Sequence, residues 1–289
     1  MIWKSKREDT AVVVLPAEAA AAAEAEADVP VVGGMLLTRT ELSFGQQVRE
    51  AAEGRRFHVH YQPLFSVPDD AIIGVEALLR WDSDSGRIAP ARFVPVLEST
   101  GLIEAVGEWV LAEACQELAA WPRHGGPGLL TVNVSAYQLV PGFANLVLGT
   151  LAASGFPADR LCLELTNPAR LEDSSMAWSE LRQLKSCGVR LFLDDFGMAG
   201  ASIVDLKRFV IDAVKIDGSF IKGMRQHDDD DAIVAALIGL AHALGMLAIA
   251  EGVESSDQLQ RLKTLGCDLA QGFHFGAPGS GDMVRGLFA

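Results

Sequence analysis

The feature that most constrains this chain is an alternation. From about residue 57 onward, short apolar runs of strand character take turns with longer segments of helical periodicity. Strands are expected over Phe57–Pro63, Ile72–Leu79, Leu129–Val134, Leu161–Thr166, Val189–Asp194, Ala213–Asp217, Met246–Ala250 and Asp268–Gly272. Helices are expected over Phe93–Gly107 continuing as Glu108–Trp121, then Gly142–Ala153, Ala177–Cys187, Ala232–Leu244 and Gln258–Leu265, with a short one near Ile203. A βα unit repeated about seven or eight times predicts a parallel sheet closed into an α/β barrel. With 289 residues, 49% of them hydrophobic, the chain suits one barrel of about 250 residues better than two small domains. An open doubly wound sheet is the alternative, but no Gly-rich dinucleotide fingerprint follows any strand.

The first 36 residues differ from the rest. Ala17–Asp28 is almost purely alanine and glutamate between Pro16 and Pro30, and it carries no apolar stripe to dock. Residues 1–36 therefore read as a flexible leader or linker, and 37–289 as the barrel domain, opening with a helix from Leu37 to the stop at Gly54.

The strand ends carry the chemistry. Leu191-Phe192-Leu193 runs directly into Asp194-Asp195-Phe196-Gly197, a buried strand with a polar tip. Unpaired carboxylates are costly to bury, so such a tip calls either for a cation or a basic partner, or for one aspartate to cap the next helix while the other faces solvent. Other strands end the same way, with Glu76, Asn133, Glu164, Lys215 with Asp217, Glu251 and Gln271. In a barrel these residues share one rim, the face where active sites are built. A ring of oxygen donors without cysteine or histidine suits Mg²⁺ or Mn²⁺. Such a site suits metal-assisted phosphodiester hydrolysis. Arg80, four residues after Glu76, can pair with a ligand phosphate or with Asp82 or Asp84. His58 and His60, at i and i+2 on one strand face, form a conceivable metal pair without a third ligand.

The formal net charge of −14 and the lack of a Lys/Arg cluster argue against DNA or RNA as partners. Cys115, Cys162, Cys187 and Cys267 form no CxxC pair and read as reduced core thiols. No apolar run reaches the roughly 18 residues that span a bilayer, so no membrane association is expected and the reading is cytoplasmic. Trp81, Trp109 and Trp121 read as packing and rim residues, Asp228–Asp231 as a cap for the helix beginning near Ala232, and His242 as a residue with no chemical duty.

Glu76-Ala77-Leu78-Leu79-Arg80-Trp81 resembles the signature that gives EAL domains their name. Tyr61-Gln62-Pro63, Phe93-Val94-Pro95 with Gly101-Leu102-Ile103, Asn133-Val134-Ser135 with Gln138-Leu139, and Glu164-Leu165-Thr166 resemble the same family in order. So do Asp194-Asp195-Phe196-Gly197, Lys215-Ile216-Asp217, Glu251-Gly252-Val253-Glu254 and Gln271-Gly272-Phe273. The resemblance implies a (β/α)₈ TIM-like barrel whose first strand is antiparallel to the rest. It implies hydrolysis of cyclic di-GMP to the linear pGpG with Mg²⁺ or Mn²⁺. On that resemblance, Glu76, Asn133, Glu164 and Asp194 hold one metal and Asp195 contributes to a second. Lys215 and Glu251 are the candidates for activating water, Gln271 contacts the water or the metals, and Gln62 and Arg80 hold the ligand. A homodimer is compatible with the family. Three stretches depart from the pattern, one of them His274-Phe275-Gly276-Ala277-Pro278, which lacks the basic residue often found before the proline. Asn167 stands where active members carry a second glutamate after Glu164-Leu165-Thr166, and Met198-Ala199-Gly200-Ala201-Ser202-Ile203 replaces the usual Thr-Gly-Tyr-Ser-Ser-Leu. The alternative to an enzyme is therefore a degenerate domain that acts as a cyclic di-GMP receptor or a protein-interaction module.

Overall fold

The computed structural model describes residues 31–32, 35–36, 39–54, 56–83, 86–121, 128–166, 175–197, 211–224 and 228–288. Residues 1–30 of the expected leader, Asn167, the stretch 198–203 and the expected helix near Ile203 lie outside the described residues. The chain forms two compact units, Met1–Val48 and Arg49–Ala289. Within the first, Val31–Val32 pairs antiparallel with Met35–Leu36, and helix α1 (Arg39–Glu53) begins.

The second unit contains a closed eight-stranded barrel. Its strands are β1 (Phe57–Ser66), β2 (Ala71–Ser83), β3 (Leu129–Ser135), β4 (Leu161–Thr166), β5 (Arg190–Phe196), β6 (Ala213–Ile216), β7 (Leu247–Ala250) and β8 (Leu269–Ala270). From β2 to β8 each strand pairs in parallel with the next. β1 closes the ring antiparallel to both β2 and β8, so the mixed barrel with an inverted first strand expected from the family resemblance is present. A short strand, Gly86–Ile88, extends β2 as a hairpin.

Eight residues, one per strand, fill the barrel's interior: Leu64, Ile73, Leu129, Cys162, Phe192, Ala213, Ile249 and Leu269. The outward-facing residues between them, such as Leu163, Leu191, Leu193, Val214, Ile216 and Ala248, are equally dry because helices cover them. Strands buried on both faces read as continuous apolar runs, which is why they stood out in the sequence. The helix between β3 and β4, α4 (Phe143–Ser154), buries Phe143, Ala144, Val147 and Leu151 at helical spacing.

Several expectations on the helices change. The long stretch after Ala89 is two helices, α2 (Pro90–Ser99) and α3 (Leu102–Ala119), broken at Gly101, whose left-handed φ of 74° turns the chain. Asp228–Asp231 is the first turn of helix α7 (Asp228–Ala243), not a cap ahead of it. Acidic residues in a first turn still meet the positive end of the helix dipole, and Asp231 also pairs with Arg261. His242 Nε2 sits 2.8 Å from Asp268 Oδ2, and the same oxygen accepts the Ala248 amide, so the histidine ties α7 to the strand ends. Trp81 and Trp121 are buried packing residues. Cys115, Cys162 and Cys267 are buried, but Cys187, after α5 (Ser175–Ser186), is exposed. Among the described residues, no helix is long and apolar enough to cross a membrane.

Candidate active site

Side chains alternate along a strand, so the residue two positions beyond a plug residue points the same way. Following this rule toward the carboxyl ends leads from Cys162 to Glu164, Phe192 to Asp194, Ala213 to Lys215, Ile249 to Glu251 and Leu269 to Gln271. On β3 the step is taken twice, through Thr131 to Asn133, and on the inverted β1 it runs backward from Leu64 to Gln62. Glu76 joins them from β2, directly opposite Gln62. The polar ring therefore sits one pleat above the apolar plug.

Lys215 is the centre of this ring. Its ammonium, 3% exposed, contacts Glu164 closely, Glu251 Oε1 at 2.5 Å and Glu76 Oε2 at 3.3 Å. Asn133 Nδ2 donates to Glu76 Oε1 at 2.6 Å, and Gln271 Nε2 donates to Glu76 Oε2 at 2.7 Å and to Gln62 Oε1 at 3.0 Å. Burial alone would raise the Glu76 pKa, but Lys215 and the two amides outweigh it and hold this carboxyl below its ordinary range. Glu164 goes the other way: full burial and then the Glu76 charge push it well up, against the pull of Lys215. Burial also raises Asp194 and Glu251. Burial would lower the Lys215 pKa, yet Glu164, Glu76, Glu251 and Asp194 drive it well above the ordinary lysine value.

One ammonium thus faces four carboxylates, and the site is short of positive charge. Glu76, Glu164 and Glu251 each offer an oxygen, all within 4.8 Å of one another. Glu164 Oε2 is buried and has no hydrogen-bond partner among the described residues. An orphaned carboxylate oxygen among other hard oxygen donors fits a divalent cation of the Mg²⁺ or Mn²⁺ type.

Not every expected residue joins the carboxylate cluster. Asp194 lines the same cleft and accepts the Asp195 amide at 2.9 Å. Asp195 is exposed, with a left-handed φ of 53°, and lies outside the three-glutamate group. Asp217 turns away to cap helix α6 (Gly218–Gly223), accepting the Ser219 amide at 2.9 Å. Arg80 does not pair with Asp82, which is taken by Arg87 at 3.0 Å and His58 at 3.3 Å, and Asp84 lies outside the described residues. Arg80 instead lines the cleft, donating to the neighbouring Leu79 carbonyl. The rings of His58 and His60 lie 4.9 Å apart, and among the described residues no third ligand joins them in a metal group.

The ring opens into a cleft of about 830 Å³ lined by Gln62, Glu76, Arg80, Asn133, Glu164, Asp194, Asp195, Lys215, Glu251 and Gln271, and also by Pro95, Ile103 and the exposed Phe273. Sequence reasoning missed Glu98, Ser135 and Gln138, which line the same cleft. It also missed the demand for glycine at position 272, where a Cβ would lie 2.1 Å from the Val253 carbonyl oxygen.

The chain thus presents an eight-stranded barrel with an inverted first strand and an acidic, lysine-centred ring at its carboxyl rim. The family model for the EAL domain matches residues 45–278, and the chain belongs to that family. It is 39% identical over 241 residues to the Pseudomonas aeruginosa bifunctional diguanylate cyclase/cyclic di-GMP phosphodiesterase MucR, covering 82% of this chain and 35% of that protein. An uncharacterized signaling protein of Caulobacter vibrioides is 39% identical over 248 residues, 85% of this chain and 30% of the relative. The chain therefore spans about a third of the length of these curated relatives, 30% and 35%. Among solved structures, a PaMucR phosphodiesterase in complex with c-di-GMP superposes with a TM-score of 0.77 at 38% identity, covering 83% of this chain and 98% of that one. The FimX EAL domain from Pseudomonas aeruginosa bound to c-di-GMP gives 0.72 at 25% identity, covering 81% and 96%.

Proposed function

We propose that residues 37–289 form a divalent-metal-dependent phosphodiesterase that opens cyclic di-GMP to pGpG, with residues 1–36 a leader or linker. The observation that carries this reading is the lysine-centred ring, in which Glu164 keeps a buried oxygen with no partner among the described residues. An abandoned site has no reason to keep four carboxylates around one ammonium, because the arrangement opposes folding.

Glu76, Asn133, Glu164 and Asp194 would hold Mg²⁺ or Mn²⁺, with Asp195 and Glu251 beside them. When bound, the metal supplies the positive charge that a dianionic ligand needs in this acidic cleft and acidifies water for attack on phosphorus. Lys215 and Glu251, 2.5 Å apart, can orient the attacking water and take its proton. Gln271 holds Glu76 and Gln62 in register. Arg80, lining the cleft without a carboxylate partner among the described residues, can meet a ligand phosphate, and Gln62 a guanine edge. The chemistry suits cytoplasmic signalling.

The test is to incubate the purified protein with cyclic di-GMP and Mg²⁺ or Mn²⁺, follow pGpG by chromatography, and run Glu76→Ala alongside. Product that vanishes in the variant supports the enzyme. Tight binding without product supports the second reading, a receptor, which rests on Asn167 and Met198–Ile203 departing from the family's pattern. If the missing carboxylate slackens the site, Asn167→Glu raises turnover; no change counts against that coupling.

A further inference from the structure

Two stretches have no part in the chemistry above: the motif Phe93-Val94-Pro95, which α2 continues to Glu98, and Ser135 with Gln138 after β3. They meet at the rim. The β2–β3 ladder ends at Ala77 and Val132, so on its β2 side the tip of β3 carrying Asn133 and Ser135 has no strand beside it. Side-chain bonds take over there. Ser135 Oγ donates to Glu98 Oε1 at 2.6 Å, and the Ser135 amide donates to Gln138 Oε1 at 3.0 Å. Ser135 and Gln138 are both buried. Helix α3 presses on Gln138 with bare backbone, since a Cβ on Gly107 would lie 2.0 Å from Gln138 Nε2. Asn133, two residues before Ser135 on the same strand face, spends Nδ2 on Glu76, which leaves Oδ1 as the atom it can offer a cation.

We propose that Ser135 and Glu98 are positioning residues: their hydrogen bond clasps the tip of β3, paired with β4 but not with β2, to α2, aims the Asn133 amide at Glu76, and thereby sets the affinity of the ring for its divalent ion. This rests on the metal-dependent reading above. A hydrogen bond of this kind is worth about a factor of ten in an equilibrium constant.

The experiment titrates Mn²⁺ into the full chain and reads the free ion by electron paramagnetic resonance, which needs no turnover. Ser135→Ala and Glu98→Ala are expected to bind Mn²⁺ about tenfold more weakly than the unaltered protein. Glu98→Gln, whose amide oxygen still accepts the Ser135 hydroxyl, is expected to bind as the unaltered protein does. Should Ser135→Ala fail to fold, the comparison of Glu98→Ala with Glu98→Gln at the half-buried end of the clasp carries the test alone. Unchanged affinity in the alanine variants, beside a parent protein that binds Mn²⁺, overturns the clasp and leaves the proposed function standing. Equal weakening in Glu98→Gln also overturns it, because charge rather than the hydrogen bond would then be responsible. A parent protein that binds no Mn²⁺ overturns both.

Discussion

The plug and the ring of this barrel lie two residues apart on most of the strands, yet they do opposite things. The plug, with Phe192 1% exposed and Cys162 and Ile249 fully buried, adds to stability through apolar surface removed from water. The ring buries Glu76, Glu164 and Lys215 almost as completely, 5%, 0% and 3% exposed, and opposes folding wherever charge exceeds its partners. Register alone separates the two, since each strand needs only to lengthen its apolar run by one alternation before the polar residue. The lesson is that stability and chemistry are divided by depth within one interior rather than between domains.

Substitutions at the two depths should therefore fail differently. At the ring, Glu76→Ala is expected to cut pGpG formation by roughly 10³-fold, the several kcal/mol a bound ion contributes at 1.36 kcal/mol per tenfold, while circular dichroism stays that of the folded barrel. At the plug, Phe192→Ala is expected to cost about 3–5 kcal/mol of stability, read by urea unfolding, while turnover per folded molecule changes far less. If Phe192→Ala proves harmless to stability, the division by depth is wrong.

The ring should also gain stability when a charge is removed. Glu164 has a raised carboxyl pKa, so its contribution to folding is present below the ordinary glutamate value and is lost as pH rises through the raised one. Without metal, Glu164→Gln is expected to melt about 2–4 °C higher near neutral pH, the equivalent of about 1 kcal/mol, and to show a flatter dependence on pH. Differential scanning calorimetry in a chelator checks both. The smallest effect concerns access. Burial pushes the Cys162 thiol of the plug, like those of Cys115 and Cys267, up to about 12, whereas Cys187 is exposed. A thiol reagent at neutral pH is expected to label Cys187 in the native protein and the other three only after unfolding.

The strands were legible because burial on both faces leaves unbroken apolar runs, and the ring residues because each ended such a run. Asp217 misled for a physical reason: it follows Lys215 by two, the spacing of a second inward residue, but the strand stops at Ile216 and its carboxylate caps α6 instead. The break at Gly101 was hidden because the apolar spacing continues on both sides of it. The closure of β1 between β2 and β8 came from family resemblance, since no pattern within a strand states its direction. The Glu98–Ser135 bond joins residues 37 positions apart, and no spacing along the chain states such a pairing.

The most direct measurement is the melting temperature of the protein with and without saturating Mn²⁺, set beside Glu164→Gln. Ligand at a hundredfold above its dissociation constant stabilises by about 2.7 kcal/mol, so the parent protein is predicted to melt roughly 5–10 °C higher with the ion, and the variant to show a much smaller rise. A parent protein whose melting temperature ignores Mn²⁺, or a variant that responds equally, would contradict the ring as a cation site.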